Sequence, residues 1–290
     1  MTRTGVERSI DCNGRPLQVD RTVIMGVLNV TPDSFSDGGL YHQLPDAIDR
    51  AQEMVAAGAD IIDIGGVSTR PGAAPLVEGE ELSRVLPVVE ALAGKISVPL
   101  SIDTSSPVVM RATVEAGAGL INDVCALQRP GALETASELG VPVSLMHMQG
   151  TPETMQRAPY YPDVVEAVYH FLKQRQTACI DADMEVEKIF LDPGFGFGKN
   201  LEHNRTLLSE LRVFTRLGSK LLVGLSRKTM IDDLLGRPVH RRSSASAALA
   251  LIAAQNGAGV VRVHDVGMTH DAIRVWEAVS RSDGTTSQLG

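Results

Sequence analysis

Gly58-Ala59-Asp60-Ile61-Ile62-Asp63-Ile64-Gly65-Gly66 is the stretch that decides the fold. An amphipathic segment stops at a glycine, a short apolar run follows, and the run ends in small or polar residues. Glycine just past a helix end adopts positive φ without Cβ strain. A short run rich in Ile and Val is the pattern of a strand buried on both faces of a parallel sheet. The same order recurs along the chain. Gly117 precedes residues 119–121 and then Asn122-Asp123, Gly140 precedes 141–146 and then His147, and Gly257 precedes 259–263 and then His264-Asp265. Runs at 22–30, 98–103, 188–192 and 220–226 complete eight predicted strands. Amphipathic segments at 45–57, 78–93, 107–116, 131–139, 162–180, 201–211, 243–255 and 269–281 predict eight helices between them. Ser106-Pro107 reads as an N-cap followed by proline in the first helical position.

From Asn29 to His264 the strand ends recur about every 34 residues, the size of one βα repeat. An α/β fold, an eight-stranded (β/α)8 TIM barrel with a short N-terminal extension, accounts for this alternation; a doubly wound open sheet is the structural alternative. Residues 1–20 form the extension, with a hairpin closing the barrel's bottom as one form, residues 21–282 the barrel, and 283–290 a C-terminal tail. The 290 residues hold 43% hydrophobic and 21% charged side chains, which excludes a disordered chain. The formal charge of −8 argues against a general nucleic-acid or anionic-membrane binder, because phosphate neutralisation needs clustered Lys and Arg. Cys12, Cys125 and Cys179 are odd in number and widely spaced, so neither a disulfide framework nor a zinc knuckle is expected. The first residues lack a signal peptide's apolar core, and no apolar run nears the roughly 20 residues of a membrane span. A cytoplasmic location is expected.

In a barrel of this kind chemistry belongs at the C-terminal strand ends. There stand Asn29, Gly65-Gly66, Asp103, Asn122, His147, Asp192, Ser226-Arg227-Lys228, and Arg262 with His264. Loops are polar in general, which explains any one of these residues but not the set. Asp103, Asn122 and Asp192 suit a polar heterocycle with N–H and C=O edges. Arg262, His264, Lys228 and Arg70 suit an oxyanion, phosphate above all. No HExxH, Walker loop, GxSxG or GxGxxG after the first strand is present. Residues 194–199, Gly-Phe-Gly-Phe-Gly-Lys, read as a mobile aromatic-bearing loop beside a ligand. Two long loops, 30–39 and 67–75, suit lids closing over a substrate.

Met25-Gly26-Val27-Leu28-Asn29-Val30-Thr31-Pro32-Asp33-Ser34-Phe35-Ser36-Asp37-Gly38-Gly39 resembles the first motif of bacterial dihydropteroate synthases, and Ser68-Thr69-Arg70-Pro71-Gly72-Ala73 resembles the second. Further matches are Ser101-Ile102-Asp103-Thr104, Ile121-Asn122-Asp123-Val124, Leu145-Met146-His147-Met148-Gln149-Gly150, residues 191–200 around Asp192-Pro193-Gly194, Ser226-Arg227-Lys228 and Arg262-Val263-His264-Asp265-Val266. They run in order over nearly the whole chain. The resemblance implies condensation of 6-hydroxymethyl-7,8-dihydropterin diphosphate with 4-aminobenzoate to give 7,8-dihydropteroate and diphosphate, a transferase step of folate biosynthesis and the target of sulfonamides. It implies that Asp103, Asn122, Asp192 and Lys228 hold the pterin, and that Asn29, Thr69, Arg70, Arg262 and His264 hold the diphosphate. Mg2+ is implied on Asn29 and the diphosphate oxygens. The aminobenzoate is implied near Phe35, Thr69, Arg70, Pro71, Phe197, Lys228 and Thr229. Asn29, Lys228, Arg262, His264 and Asp33 are the implied catalytic set, and the family implies a homodimer.

The chemistry of the residues agrees with that implication. The carbon attacked bears an excellent leaving group and adjoins an electron-rich ring, so the site needs electrostatic help for departing diphosphate and exclusion of water, and no strong base. Two positions depart from the family pattern: Val67 stands where Glu is usual, and Thr229 where Ser is common. Neither is expected to abolish activity. A noncatalytic pterin-binding paralogue and a pterin-dependent methyltransferase barrel are the competing readings. The second has no use for a diphosphate clamp, and Val67 is the one sequence feature favouring the first.

Overall fold

The computed structural model describes residues 9–31, 40–67, 78–151 and 153–280; of residues 40–43 and 78 it describes the backbone alone. The expected alternation is present. Strands β1 (Ser9–Cys12) and β2 (Arg15–Gln18) form an antiparallel hairpin. Then come β3 (Val23–Asn29), α1 (Leu40–Ala56), β4 (Ile61–Gly65), α2 (Glu78–Ala93), β5 (Leu100–Asp103), α3 (Pro107–Glu115), β6 (Leu120–Asp123) and α4 (Ala132–Leu139). The second half comprises β7 (Val143–Met146), α5 (Val164–Asp181), β8 (Ile189–Asp192), α6 (Leu201–Ser209), β9 (Lys220–Val223), α7 (Thr229–Leu235), α8 (Ser243–Gln255), β10 (Ala258–Val263) and α9 (Val266–Ser280). Strands β3 to β10 pair in chain order, all parallel, and β10 returns to β3, closing the barrel. The open sheet is excluded by that closure.

Local chemistry explains the punctuation. Gly58, Gly117, Gly140 and Gly257, which mark the recurrent pattern, all have positive φ, at 97°, 112°, 66° and 102°. Ser106 caps α3, its hydroxyl accepting from the Val109 N–H at 3.3 Å, with Pro107 following. The structure also corrects the helix inventory. The seven-residue α7 precedes α8 and is capped by Gly236 (φ 60°), a segment of about two turns that is too short to show a periodic apolar face. Helix α1 begins five residues before the predicted Pro45, and α9 begins at Val266, directly after the strand end.

Side chains alternate across the barrel wall. One parity packs outward: Ile24, Leu28, Ile62, Ile64, Ile102, Ile121 and Leu191 join the helices in one apolar cluster. The other points inward. At the bottom Val23, Met25, Ile61, Leu120, Phe190, Leu222 and Val260 fill the interior together with Ile10, Cys12, Leu17 and Val19 from the hairpin side. The hairpin turns at Asn13-Gly14, both at positive φ. It is tied down by Asn13 Nδ2, donating to Val114 O and Ala118 O at 3.0 Å each, and by Lys220 Nζ, donating to Val19 O at 2.9 Å. A Cβ on Gly119 would stand 2.2 Å from Cys12 O, so that backbone approach requires glycine.

Gly119→Ala is therefore expected to lower stability by about 1–3 kcal/mol, read as a lower urea midpoint with little change of slope. An unchanged midpoint would mean that the hairpin does not seat against β6.

Candidate active site

Above the apolar floor the inward positions turn polar. Asp63 on β4 is 0% exposed. Its Oδ1 accepts from Ser101 Oγ of β5 at 2.6 Å, and its Oδ2 accepts from Arg262 Nε of β10 at 2.6 Å and from Asn122 Nδ2 of β6 at 3.2 Å. Arg262 reaches past β3 to make this pair, and its Nη2 donates to Asp103 Oδ2 at 2.8 Å. A buried carboxylate without partners would cost several kcal/mol; here donors from three strands converge on it. Burial raises the Asp103 carboxyl to about 7, against the lowering effect of Arg262, which is shared with Asp63. Burial alone would lower the Arg262 guanidinium, but Asp63 and Asp103 outweigh it and hold its proton firmly. Asn29 ends β3 beside them. Its Oδ1 and Asp103 Oδ2 each lie 3.7 Å from the point where a Gly65 Cβ would stand, so a larger residue there would fill the gap between them.

The opposite side of the mouth holds Asp192 and Lys228. Burial raises the Asp192 carboxyl, with Lys228 opposing, and burial lowers the Lys228 ammonium to about 8, with Asp192 opposing. The Gly194 N–H donates to Asp192 Oδ1 at 2.7 Å. Lys228 Nζ donates to Phe195 O and lies 4.5 Å from the centre of the Phe197 ring, a cation–π distance.

Residues 194–199, expected as a mobile loop, are instead tied down. Lys199 is buried; its Nζ donates to Gly194 O at 2.9 Å and Phe197 O at 3.0 Å and lies 2.9 Å from His147 Nδ1 and 3.4 Å from His147 O, while burial pushes its proton affinity well below the usual lysine range, with Asp192 opposing. Burial, then the neighbouring Lys199, lowers His147 to about 3, so the ring is neutral and offers Nδ1 as acceptor. Gly194 and Gly198 are obligatory: a Cβ on either would stand 1.9 Å from His147 O or 2.5 Å from Gln149 O.

Ser226-Arg227-Lys228 turns sharply. Arg227 has φ 60°, and its guanidinium turns to Asp265, with Nη2–Oδ1 at 2.6 Å and Nε–Oδ2 at 3.1 Å. Ser226 Oγ lies 3.0 Å from His264 Nδ1. Thr229 is exposed at the start of α7. Val67 is half-buried just past the end of β4.

The structure thus brings together Asn29, Asp103, Asn122 and Arg262, and gathers Asp192, Lys228 and Phe197 around the tied loop. Asp33, Phe35, Thr69, Arg70 and Pro71 lie outside the described residues. Asp63, Ser101 and Lys199 were missed by the sequence reading. Asp63 carried a signal: it shares the inward parity of Ile61 and Gly65 in an otherwise apolar run. Among the described residues no group of three or more His, Cys, Asp or Glu is placed to hold a metal. Nor is any helix there long and apolar enough to cross a membrane.

Residues 25–264 match the family described as pterin binding enzyme. The dihydropteroate synthase of Escherichia coli K12 is 53% identical over 265 residues, 91% of this chain and 94% of that one. That of Haemophilus influenzae is 49% identical over 270 residues, 93% and 98% of the two chains. Among solved structures, Yersinia pestis dihydropteroate synthase in a sulfonamide drug complex has a TM-score of 0.90 at 50% identity, covering 95% of this chain and 100% of that one. The Xanthomonas albilineans enzyme in complex with 7,8-dihydropteroate has 0.87 at 46% identity, covering 94% and 99%.

The raised Asp103 carboxyl gives a pH test. The folded chain binds this proton more tightly than the unfolded chain, so the group's contribution to stability falls as pH rises from about 4 through 7. Asp103→Asn removes the titration. The melting temperature of the variant relative to wild type is expected to rise across that window and level off above it; a constant difference, read by thermal denaturation, would contradict the raised value.

Proposed function

This chain belongs to the dihydropteroate synthases of the pterin-binding enzyme family, and from that premise we propose how its barrel mouth joins 6-hydroxymethyl-7,8-dihydropterin diphosphate to 4-aminobenzoate. The family's enzymes transfer a pterinylmethyl group, and the carrying observation is the convergence of Asp103, Asn122 and the guanidinium of Arg262 at one end of the barrel.

Asp103, Asn122 and Asp192 take the N–H edge of the pterin, while Lys228, held by Phe195 O and facing Asp192, takes the ring's carbonyl side. Arg262 and His264, the latter steadied by Ser226, take the diphosphate. The C–O bond to diphosphate breaks, and the electron pair leaves on oxygen, stabilised by fixed positive charge. The electron-rich ring stabilises the methylene cation. The aryl amine then forms the C–N bond and loses a proton to solvent or diphosphate. Phe197, against Lys228, and Thr229 border the space assigned to the aminobenzoate; Phe35, Thr69, Arg70 and Pro71 are assigned there from their motifs, and Asp33 to the reacting centre. A sulfonamide would compete for the same space.

The mouth's donor set fits Mg2+: Asn29 offers one amide oxygen beside Asp103, and diphosphate offers the rest, the sharing that this ion favours. Bound there, it would neutralise charge on the leaving group. The free thiols of all three cysteines support a reducing, cytoplasmic setting. A homodimer is supported by Leu234, Leu249 and Ile252, which line a groove on α7 and α8, and by Leu235, 53% exposed next to it.

Two experiments test this reading. With both substrates and Mg2+, diphosphate release is expected to require aminobenzoate, and Arg262→Lys is expected to lower kcat/KM about 100-fold or more. Val67→Glu is expected to change turnover only a few-fold. Binding of the pterin diphosphate without release, or release only in the Glu variant, would sink the catalytic reading of this chain. Sedimentation is expected to give twice the 31.0 kDa chain mass, and Leu235→Glu a monomer; a monomeric wild type would remove the dimer.

A further inference from the structure

Asp63 touches no solvent, yet it contacts two residues assigned to substrate. Its carboxylate has no hydrogen to give, so the Asn122 atom 3.2 Å from Oδ2 is the amide nitrogen. That contact settles the rotation of the Asn122 side chain. One N–H points down to Asp63; Oδ1 and the second N–H are left for the mouth, and no described residue donates a hydrogen bond to that oxygen. An amide held in this sense complements an edge with a donor beside an acceptor, in one order only. A 2-amino pteridine presents that order: an exocyclic N–H next to a ring nitrogen acceptor. A 2-oxo pteridine presents the reverse, a carbonyl beside a ring N–H, and suits the amide only after a half-turn. Neutral surroundings would leave the two rotations close in energy; a carboxylate behind the amide separates them, because the half-turn would set Oδ1 against Oδ2. The same carboxylate holds Nε of Arg262 at 2.6 Å. The other carboxylate on that guanidinium, Asp103, stands at the mouth, where a substrate reaches it, whereas Asp63 stays beneath.

We propose that Asp63 is a positioning residue that selects the substrate ring: by orienting the Asn122 amide and anchoring Arg262 from below, it admits a 2-amino pteridine and rejects the 2-oxo counterpart. The selection rests on the reading that Asn122 takes the pterin. Asp63 itself meets no substrate atom; it acts through the amide.

The test compares kcat/KM for 6-hydroxymethyl-7,8-dihydropterin diphosphate and for its 2-oxo analogue in wild type, Asp63→Leu and Asn122→Ala. Wild type is expected to prefer the 2-amino ring. Leucine has the size of the aspartate but no acceptor, so Asp63→Leu lets the Asn122 amide turn, and the preference is expected to drop at least about tenfold, chiefly through improved use of the 2-oxo analogue relative to the 2-amino substrate. A purely structural role would lower both substrates by one factor, and that result overturns the proposal. If Asn122→Ala keeps the wild-type preference, the assignment of Asn122 to the ring fails; if Asn122→Ala loses it while Asp63→Leu keeps it, Asp63 alone is refuted. Should Asp63→Leu fail to fold, Asp63→Ala replaces it, since it also removes the acceptor behind the amide. The same drop in preference is then expected, and a folded Asp63→Ala variant with the wild-type preference overturns the proposal.

Discussion

The pairing of Asp63 with Arg262 is the constraint on which the upper barrel depends. A fully buried carboxylate is tolerable only when charge and hydrogen bonds offset its lost hydration, and Asp63 receives donors from β5, β6 and β10. Those three strands are thereby held in mutual register at the level where ligand chemistry begins. Arg262 is committed on one side to Asp63 and on the other to Asp103. One guanidinium serves two carboxylates, with Asp192 near enough to act on it as well. Burial, which this shared guanidinium only partly offsets, is what raises the Asp103 carboxyl to about 7.

This polar layer is possible because the barrel's bottom is sealed and dry. Inward residues from β3, β4, β6, β8, β9 and β10 meet the hairpin's Ile10, Cys12 and Leu17 in one apolar cluster. That cluster lies beneath the polar layer, whose buried interactions act in a low-dielectric setting. Burial is accordingly the leading influence on Asp103, Asp192, Lys228 and His147 alike. Of these, Asp103 at about 7 and Lys228 at about 8 are brought close to neutral pH, whereas His147 is held neutral.

Two tie-downs outside the floor aim the remaining groups. Lys199 gathers carbonyls from residues 194 and 197 with the His147 ring, which shapes the loop against Lys228. Arg227 accepts a left-handed backbone because its side chain is held by Asp265 and its N–H by Ser246 Oγ. Its neighbours Ser226 and Lys228 then reach His264 and the glycine-rich loop. In both cases a long basic side chain serves to place its neighbours.

The barrel was legible in the chain itself, because periodicity is a local property. Gly58, Gly117, Gly140 and Gly257 marked the helix ends, and short apolar runs marked strands covered on both faces. The rim residues Asp103, Asn122, Asp192, Lys228 and Arg262 were legible too, since strand ends follow from strands. Helix α7 was not, because seven residues carry too little period. Lys199 read as part of a mobile loop, since nothing in a glycine-rich hexapeptide announces that a carbonyl cage will close on its lysine. Asp63 lay inside an apolar run, and its partners Arg262 and Asn122 stand 199 and 59 residues away. Sequence alone determined which side chains reach the mouth, because alternation and repeat length act over a few residues. Only the closed barrel decided which of them pair, because burial and charge compensation are settled by neighbours that meet in space.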